Sequence, residues 1–357
     1  MKIGIVTFFR APNYGAMLQA RALWCYLKGR GHEVYFVDHD FGGEHPQPLW
    51  RCLVARNVRA VKTKLRQYVR HRCTLFSADS PVAPLDYPFD AVVVGSDQMW
   101  NPRWMKPHIP VVFLAFARCK RISYAVSFGV AEWGGNCREE VRGLLAGFEA
   151  ISVRERSGVE IVRELCGRSA EVMPDPTLLW NASFYEKLLG GRTQADSFVF
   201  SFFLDEFASG ADADRCERAV SRAIGVKRVR HAYDHGPFPL SLYCRLLKVR
   251  RKIGIEEWFS YLSSARFVVT NSFHGTVFSL LLHRPFVVVK HEGSAAGMND
   301  RLLTLLSAFG LEERFVTAEE LASEPAFLSA VIDWSAVDGV LEKARGKADR
   351  FFGEVGL

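Results

Sequence analysis

The chain has 357 residues, of which 49% are hydrophobic and 24% charged, with a formal net charge of +7. That length exceeds one ordinary core and fits two domains of roughly 150 residues each. The composition excludes a disordered chain, and no run reaches the roughly 20 apolar residues that span a bilayer. The positive excess is local: between Arg51 and Cys73 there are eight Lys/Arg and no acid, and the remainder has 38 bases against 39 acids.

Met1-Lys2-Ile3-Gly4-Ile5-Val6 enters strand-like sequence directly, without the apolar core and cleavage site of a secretory signal, so a cytoplasmic protein is expected. Strands are predicted over residues 2–8 and 33–37, with a helix over 15–28 between them. Leu53, Val54, Val58, Val61, Leu65 and Val69 recur at three- and four-residue spacing and predict a basic amphipathic helix over 51–72. Two readings of it stay open: a solvated surface helix, or a peripheral contact with anionic lipid or a lipid-diphosphate substrate. Nucleic acid is disfavoured, since no aromatic-studded basic groove accompanies the charge. Strands over 91–94, 121–126 and 150–153 alternate with helices over 139–147 and 157–165, the pattern of a parallel sheet covered on both faces.

Pro174-Asp175-Pro176 punctuates the end of this first unit, and the polar stretch 190–196 reads as a linker. The pattern then restarts, with strands over 197–203, 227–231, 266–270 and 286–289 and helices over 256–264, 276–283 and 301–309. The expected fold class is therefore α/β, with two Rossmann-like domains (1–189 and 190–335) facing across a cleft. A last helix in 336–357 is expected to pack back on the first domain. The eight cysteines are scattered singly, with no C-x-x-C pair, so no zinc site or other metal site is expected.

Five segments put polar residues just after a predicted strand, where open α/β sheets bind ligands. Asn13-Tyr14-Gly15 starts the first helix, and Gly15 lets the backbone approach a ligand. Ser96-Asp97-Gln98 with Trp100 follows the third strand. Ser96 and Asp97 are good helix caps, whereas Gln98 and Trp100 suit a sugar ring stacked on an aromatic beside an amide. Ser127 closes the next strand, and Arg154 follows the one after, able to fork onto a phosphate or carboxylate or to pair with a nearby acid. The strongest segment is Asn271-Ser272-Phe273-His274-Gly275-Thr276, which sets an imidazole at a strand-to-helix switch with the helix amides behind it.

Taken in order, these segments resemble the polysaccharide pyruvyl transferase family. The resemblance is carried by Asn-Tyr-Gly-Ala (13–16), Gly-Ser-Asp-Gln-x-Trp (95–100), Ser-Tyr-Ala-x-Ser-Phe-Gly (123–129) and Ser-Val-Arg-Glu (152–155). Asp-Pro-Thr-Leu-Leu (175–179), Asn-Ser-Phe-His-Gly-Thr (271–276) and Asn-Asp-Arg-Leu (299–302) complete it. It implies a fold like that of the glycosyltransferase B enzymes. It also implies transfer of the pyruvyl group of phosphoenolpyruvate to two hydroxyls of a sugar, in a surface polysaccharide or its lipid-linked precursor, with no cofactor. His274 and Arg154 would be the catalytic pair; Asn271, Ser272, Gly275, Thr276, Asn299 and Arg301 would hold the donor. Asn13, Tyr14, Gly15, Ser96, Asp97, Gln98, Trp100 and Ser127 would lie on the acceptor side. Many relatives carry Arg where this chain has Ser272, and Arg301, Lys290 or His291 is the candidate replacement. Two other readings are a metal-independent glycosyltransferase with a nucleotide-sugar donor and a non-catalytic carbohydrate-binding protein.

Overall fold

A computed structural model describes residues 1–10, 13–41, 80–134, 137–190, 196–204, 210–234, 251–323 and 325–357. The predicted basic helix over 51–72, residues 191–195 of the expected linker, and Cys52, Cys73 and Cys244 lie outside the described residues.

Short runs of β-branched and aromatic residues, buried on both faces, make two parallel sheets. The first contains β1 (Lys2–Val6), β2 (Glu33–Val37), β3 (Val82–Ala83), β4 (Ala91–Gly95), β5 (Lys120–Val126), β6 (Ala150–Val153) and β7 (Glu171–Val172). Their order is β3-β2-β1-β4-β5-β6-β7, with Ile5 in register with Phe36 on one side and Val93 on the other. In the second half, β8 (Val199–Phe202) and β9 (Val229–His231) are followed by an antiparallel pair, β10 (Tyr233–Asp234) and β11 (Arg251–Lys252). Then come β12 (Phe267–Thr270), β13 (Phe286–Val289) and β14 (Phe315–Val316), and the second sheet runs β14-β13-β12-β8-β9. The order reverses direction beside β1/β4 and beside β8/β12, the crevices where such sheets take ligands.

Three differences from the sequence expectation have physical causes. The first strand stops at Val6, because the amide of Phe9 turns back to the carbonyl of Thr7 at 3.0 Å. The helix over Gly210–Ala223 is not predicted from the sequence; Asp212, Asp214, Arg215, Glu217, Arg218 and Arg222 break up its apolar pattern, and its buried stripe is Ala213, Cys216, Ala219 and Val220 beside Glu217. The helix Phe273–Leu281 begins three residues before the predicted start, because Ser272 caps it and its Oγ accepts from the amide of Gly275 at 3.3 Å. His274 thus sits in the first turn of a helix.

The apolar core is continuous between the halves. Tyr14, Met17 and Leu18 of the helix Tyr14–Gly29 pack in one cluster with Phe202, Trp258 and Phe278 of the second half. The last helix, Trp334–Glu354, is capped by Asp333 and buries Val337 and Leu341 in that cluster. Its far end buries Ala348, Phe351 and Phe352 against Ile3, Ile5 and Tyr124 of the first sheet. Arg345 donates to the carbonyls of Leu178 and Trp180, both at 3.2 Å. Among the described residues, no helix is long and apolar enough to cross a membrane.

Candidate active site

Loops at the carboxyl ends of both sheets converge on one buried carboxylate. Asp175 lies between two prolines, which fix the chain around it. Its Oδ1 accepts from the amide and hydroxyl of Thr177 at 3.0 and 2.6 Å. Its Oδ2 accepts from Ser96 Oγ at 2.9 Å and from an Arg154 guanidinium N–H at 2.8 Å, and lies 3.5 Å from His274 Nε2. Burial alone would push this carboxyl up; the neighbouring His274 and Arg154 and the Thr177 bonds outweigh burial and hold it well below the usual carboxylate range. Asp175 is therefore ionised at any working pH.

Arg154 leaves β6 with its amide bonded to the carbonyl of Val126 at 2.9 Å, and its guanidinium lies over the ring of Phe273 at 4.3 Å. Asp97 stands 3.7 Å away. Burial disfavours its charge, but Asp175, Asp97 and Glu155 overcome that and raise its pKa. Its Nε and Nη2 are buried without a hydrogen-bond partner among the described residues. Arg301, on the helix Asn299–Phe309, is also buried and leaves its Nε in the same state. Burial and the nearby Arg154 lower the Arg301 pKa to about 10, so it stays cationic near neutrality. The same helix reaches the start of the helix Arg156–Cys166, where Thr304 Oγ1 accepts from the amide of Arg156 at 3.2 Å and Asp300 from that of Ser157 at 3.0 Å. Next to Arg154, Glu155 gathers Ser127 Oγ and the amides of Phe128 and Gly129 onto one oxygen at 3.0, 2.7 and 3.1 Å, and burial pushes its carboxyl up.

His274 comes from the second half but is held by the first. Its side chain is 9% exposed. One ring edge faces Asp175; the other lies so close to Gly15 that a methyl group there would fall on Nδ1 and Cγ. His291, buried near Arg301, is lowered to about 4 by burial and that charge, so it is neutral near pH 7. The arrangement offers an imidazole backed by a fixed carboxylate, next to two cationic groups with unshared N–H donors. That is acid–base chemistry beside an anion site. Among the described residues, no group of three or more His, Cys, Asp or Glu is arranged to hold a metal ion.

The structure thus brings together Gly15, Ser96, Asp97, Arg154, His274 and Arg301, whereas other predicted site residues have structural partners. Trp100 is a correction: it is fully buried, its indole N–H donates to the carbonyl of Val112 at 2.9 Å, and its ring stacks on Phe113 at 5.0 Å. It presents no face to a sugar. Tyr14 donates to the carbonyl of Ile253 at 2.6 Å and stacks on Trp258, so it joins the halves. Asn13 is exposed and caps its helix through the amide of Ala16. Gln98 accepts from Asn101 at 2.7 Å and lies against Gly129, whose φ of +62° and lack of a side chain leave it room. Asn271 accepts from the amide of Leu204 at 2.7 Å, Thr276 donates to the carbonyl of Ser272 at 3.0 Å, and Gly275 packs on Thr270 Oγ1. Asn299 bonds both backbone groups of His291, at 2.8 and 2.9 Å. Lys290 pairs with Glu320 at 3.7 Å. Sequence reasoning missed the role of Asp175, although an acid locked between two prolines at the end of the first unit was a usable signal.

Two Rossmann-like domains with this cluster between their sheet ends define a two-domain α/β architecture like that of the glycosyltransferase B enzymes. The UDP-GlcNAc 2-epimerase of Methanocaldococcus jannaschii, in complex with UDP-GlcNAc and UDP, is similar at a TM-score of 0.54 and 10% identity, over 98% of this chain and 99% of that one. Arabidopsis thaliana UGT89C1, complexed with quercetin, gives 0.51 at 12% identity over 100% and 99%. The S. aureus MnaA–UDP structure gives 0.51 at 11% over 96% and 91%. At such identities the likeness is one of fold. No curated protein matches the chain. Residues 13–293 match the family described as polysaccharide pyruvyl transferase, and the chain belongs to that family, which makes it a transferase of polysaccharide biosynthesis.

Proposed function

We propose that the protein transfers the pyruvyl group of phosphoenolpyruvate to two hydroxyls of one sugar, in a surface polysaccharide or its lipid-linked precursor on the cytoplasmic side of a membrane. The observation that carries this reading is the pair Arg154 and Arg301, with buried N–H groups that no described residue takes up, beside His274. A donor bearing both a phosphate and a carboxylate matches two such guanidinium groups, and Arg301 supplies the cation missing at Ser272.

In this reading a sugar hydroxyl adds to C2 of the donor while a proton is delivered to the C3 methylene, which becomes a methyl group. A second hydroxyl then forms the other C2–O bond as the C2–O bond to phosphate breaks. Of the two hydroxyl protons, one ends on the methyl carbon and one leaves with phosphate. His274 is the group that gives the proton and regains one from the hydroxyls, and the Asp175 carboxylate stabilises its imidazolium form before the first event and after the second. General catalysis of this kind contributes a factor of roughly 10²–10⁴. Arg154 and Arg301 neutralise charge as it moves onto the departing phosphate.

A nucleotide-sugar donor is the second reading. It is favoured by the fold likeness to proteins solved with UDP or UDP-GlcNAc, and the same guanidinium pair suits a diphosphate. Phosphate release from phosphoenolpyruvate over a panel of nucleotide-linked and lipid-linked sugars, with His274→Ala as control, separates the two. Acceptor-dependent release that the variant loses supports pyruvyl transfer. Release of a nucleoside diphosphate from a nucleotide sugar, with phosphoenolpyruvate untouched, replaces it with glycosyl transfer.

A further inference from the structure

Five side chains at the carboxyl ends of β2, β1 and β4 form a second cluster that the donor chemistry does not use. Phe8 follows β1, His39 and Phe41 follow β2, and Trp104 and His108 belong to the segment after β4; all five are half-buried. His39 Nε2 and His108 Nδ1 are 3.0 Å apart, one nitrogen donating and the other accepting. The Trp104 ring lies 4.8 Å from Phe8 and 6.4 Å from His108, and Phe41 stands edge-on to Phe8, His39 and His108 at 5.1, 4.7 and 5.4 Å. Neither imidazole is inclined to carry charge: burial pushes both below the usual histidine value, and for His39 the neighbouring His108 adds to the effect.

Two stretches of chain connect this cluster to the catalytic one. Beyond β1 the chain carries Phe8, and Gly15, the second residue of the helix Tyr14–Gly29, lies against His274. The segment after β4 carries Ser96, bonded to Asp175, and eight residues later Trp104. Between them Asn101 stiffens that segment: its amide group donates to Gln98, its side-chain oxygen accepts from the amide of Arg103 at 3.0 Å, and its carbonyl accepts from that of Trp104 at 3.3 Å. Phe8, Trp104 and His108 are thus carried by the same stretches of chain that carry Gly15 and Ser96.

We infer that Trp104, His39 and His108, with Phe8 and Phe41 behind them, form a subsite for a neutral sugar ring of the acceptor. A pyranose has apolar C–H faces that lie on aromatic rings and hydroxyl edges that exchange hydrogen bonds with imidazole. None of the five is cationic, and the adjoining Asp38 and Asp40 are exposed acids, with Asp38 paired to Arg10. The five rings themselves offer an anionic donor no counter-charge, so the occupant is the uncharged partner. The inference rests on the reading that the acceptor is a sugar, and it moves the sugar platform from Trp100 to Trp104.

The test is saturation-transfer NMR on the full chain without donor, using methyl glycosides of the gluco, galacto, manno and 2-acetamido series as probes. The expected result is transfer to ring protons of at least one glycoside, weakened about tenfold by Trp104→Ala and by His108→Ala and unchanged by His274→Ala. Should Trp104→Ala fail to fold by circular dichroism, the His108→Ala variant decides alone. Absence of transfer to every glycoside, or equal transfer in wild type and the folded variants, overturns the subsite. Phosphate release from phosphoenolpyruvate with the same glycosides reports separately on the reaction. Trp104-dependent binding without phosphoenolpyruvate consumption keeps the subsite and removes pyruvyl transfer. Turnover whose acceptor KM is indifferent to Trp104→Ala and to His108→Ala does the reverse.

Discussion

The two clusters at the carboxyl end of the first sheet are built on neighbouring loops and solve opposite problems. Around Asp175 the groups are charged and buried. Each charge needs a counter-charge before it can face a ligand, so Asp175 holds Arg154 and stands against His274 at once. Around His39 and His108 the groups are half-exposed and neutral, and rings support one another without a fixed ion. The first kind of arrangement suits a charged ligand and proton transfer; the second suits a shape with polar edges. The transfer we propose, with one anionic and one uncharged substrate, needs both.

The sharpest way to break this contrast is to remove the imidazole proposed to move the proton. His274→Ala should lower turnover by roughly 10²–10⁴ while leaving ligand binding at both clusters intact. A loss of binding equal to the loss of turnover would instead make His274 a ligand-holding residue. Next in size is the distinction between two tryptophans four residues apart. Trp100→Ala removes a fully buried ring stacked on Phe113 and should cost about 3–5 kcal/mol of stability in chemical denaturation. Any acceptor effect should follow that loss. Trp104→Ala should show the opposite profile, with a small stability change and a specific loss of glycoside binding.

Those tryptophans also mark how far the sequence could be read. The strands around the site were legible because β4 and β12 are unbroken apolar runs ending in polar residues, which only a sheet buried on both faces accommodates. The position of His274 and Arg154 at the sheet ends was legible because each follows such a strand. Which polar residues would face the cleft was not legible. Ser127, Asn271 and Asn299 look like ligand groups in sequence, but each satisfies a nearby backbone or side-chain partner that only the fold brings close. Trp100 was misread because a Trp beside Ser-Asp-Gln suggests a sugar platform, whereas the turn after β4 directs it inward. His39 and Phe41, more than 60 residues before Trp104 in the chain, carry no local signal of their common neighbourhood.

Gly15→Ala tests whether the catalytic end depends on the two halves meeting. The added methyl group would overlap the His274 ring, and the site cannot keep both in place. Turnover should fall about a hundredfold, because a misplacement near 1 Å costs that much, while the unfolding midpoint moves little. Full activity in Gly15→Ala would mean that His274 works in a position other than the one facing Asp175.

The smallest expected effect separates the histidines of the two clusters. His291 is lowered to about 4 from an ordinary 6.5, so the folded state keeps it neutral where the unfolded state begins to protonate. Its contribution to stability is complete above pH 6.5 and is lost as pH falls toward 4, at about 1.4 kcal/mol per pH unit. Between pH 6.5 and 5 this amounts to about 2 kcal/mol. His39 and His108 are lowered in the same direction but are half-exposed, so solvent screening leaves them a smaller share. Urea unfolding at those two pH values should therefore show a clear flattening of the pH dependence in His291→Gln and a slighter one in the double variant His39→Gln/His108→Gln. Equal flattening would place the aromatic cluster in surroundings as dry as those of Arg301, where a hydrated sugar could not enter without displacing protein.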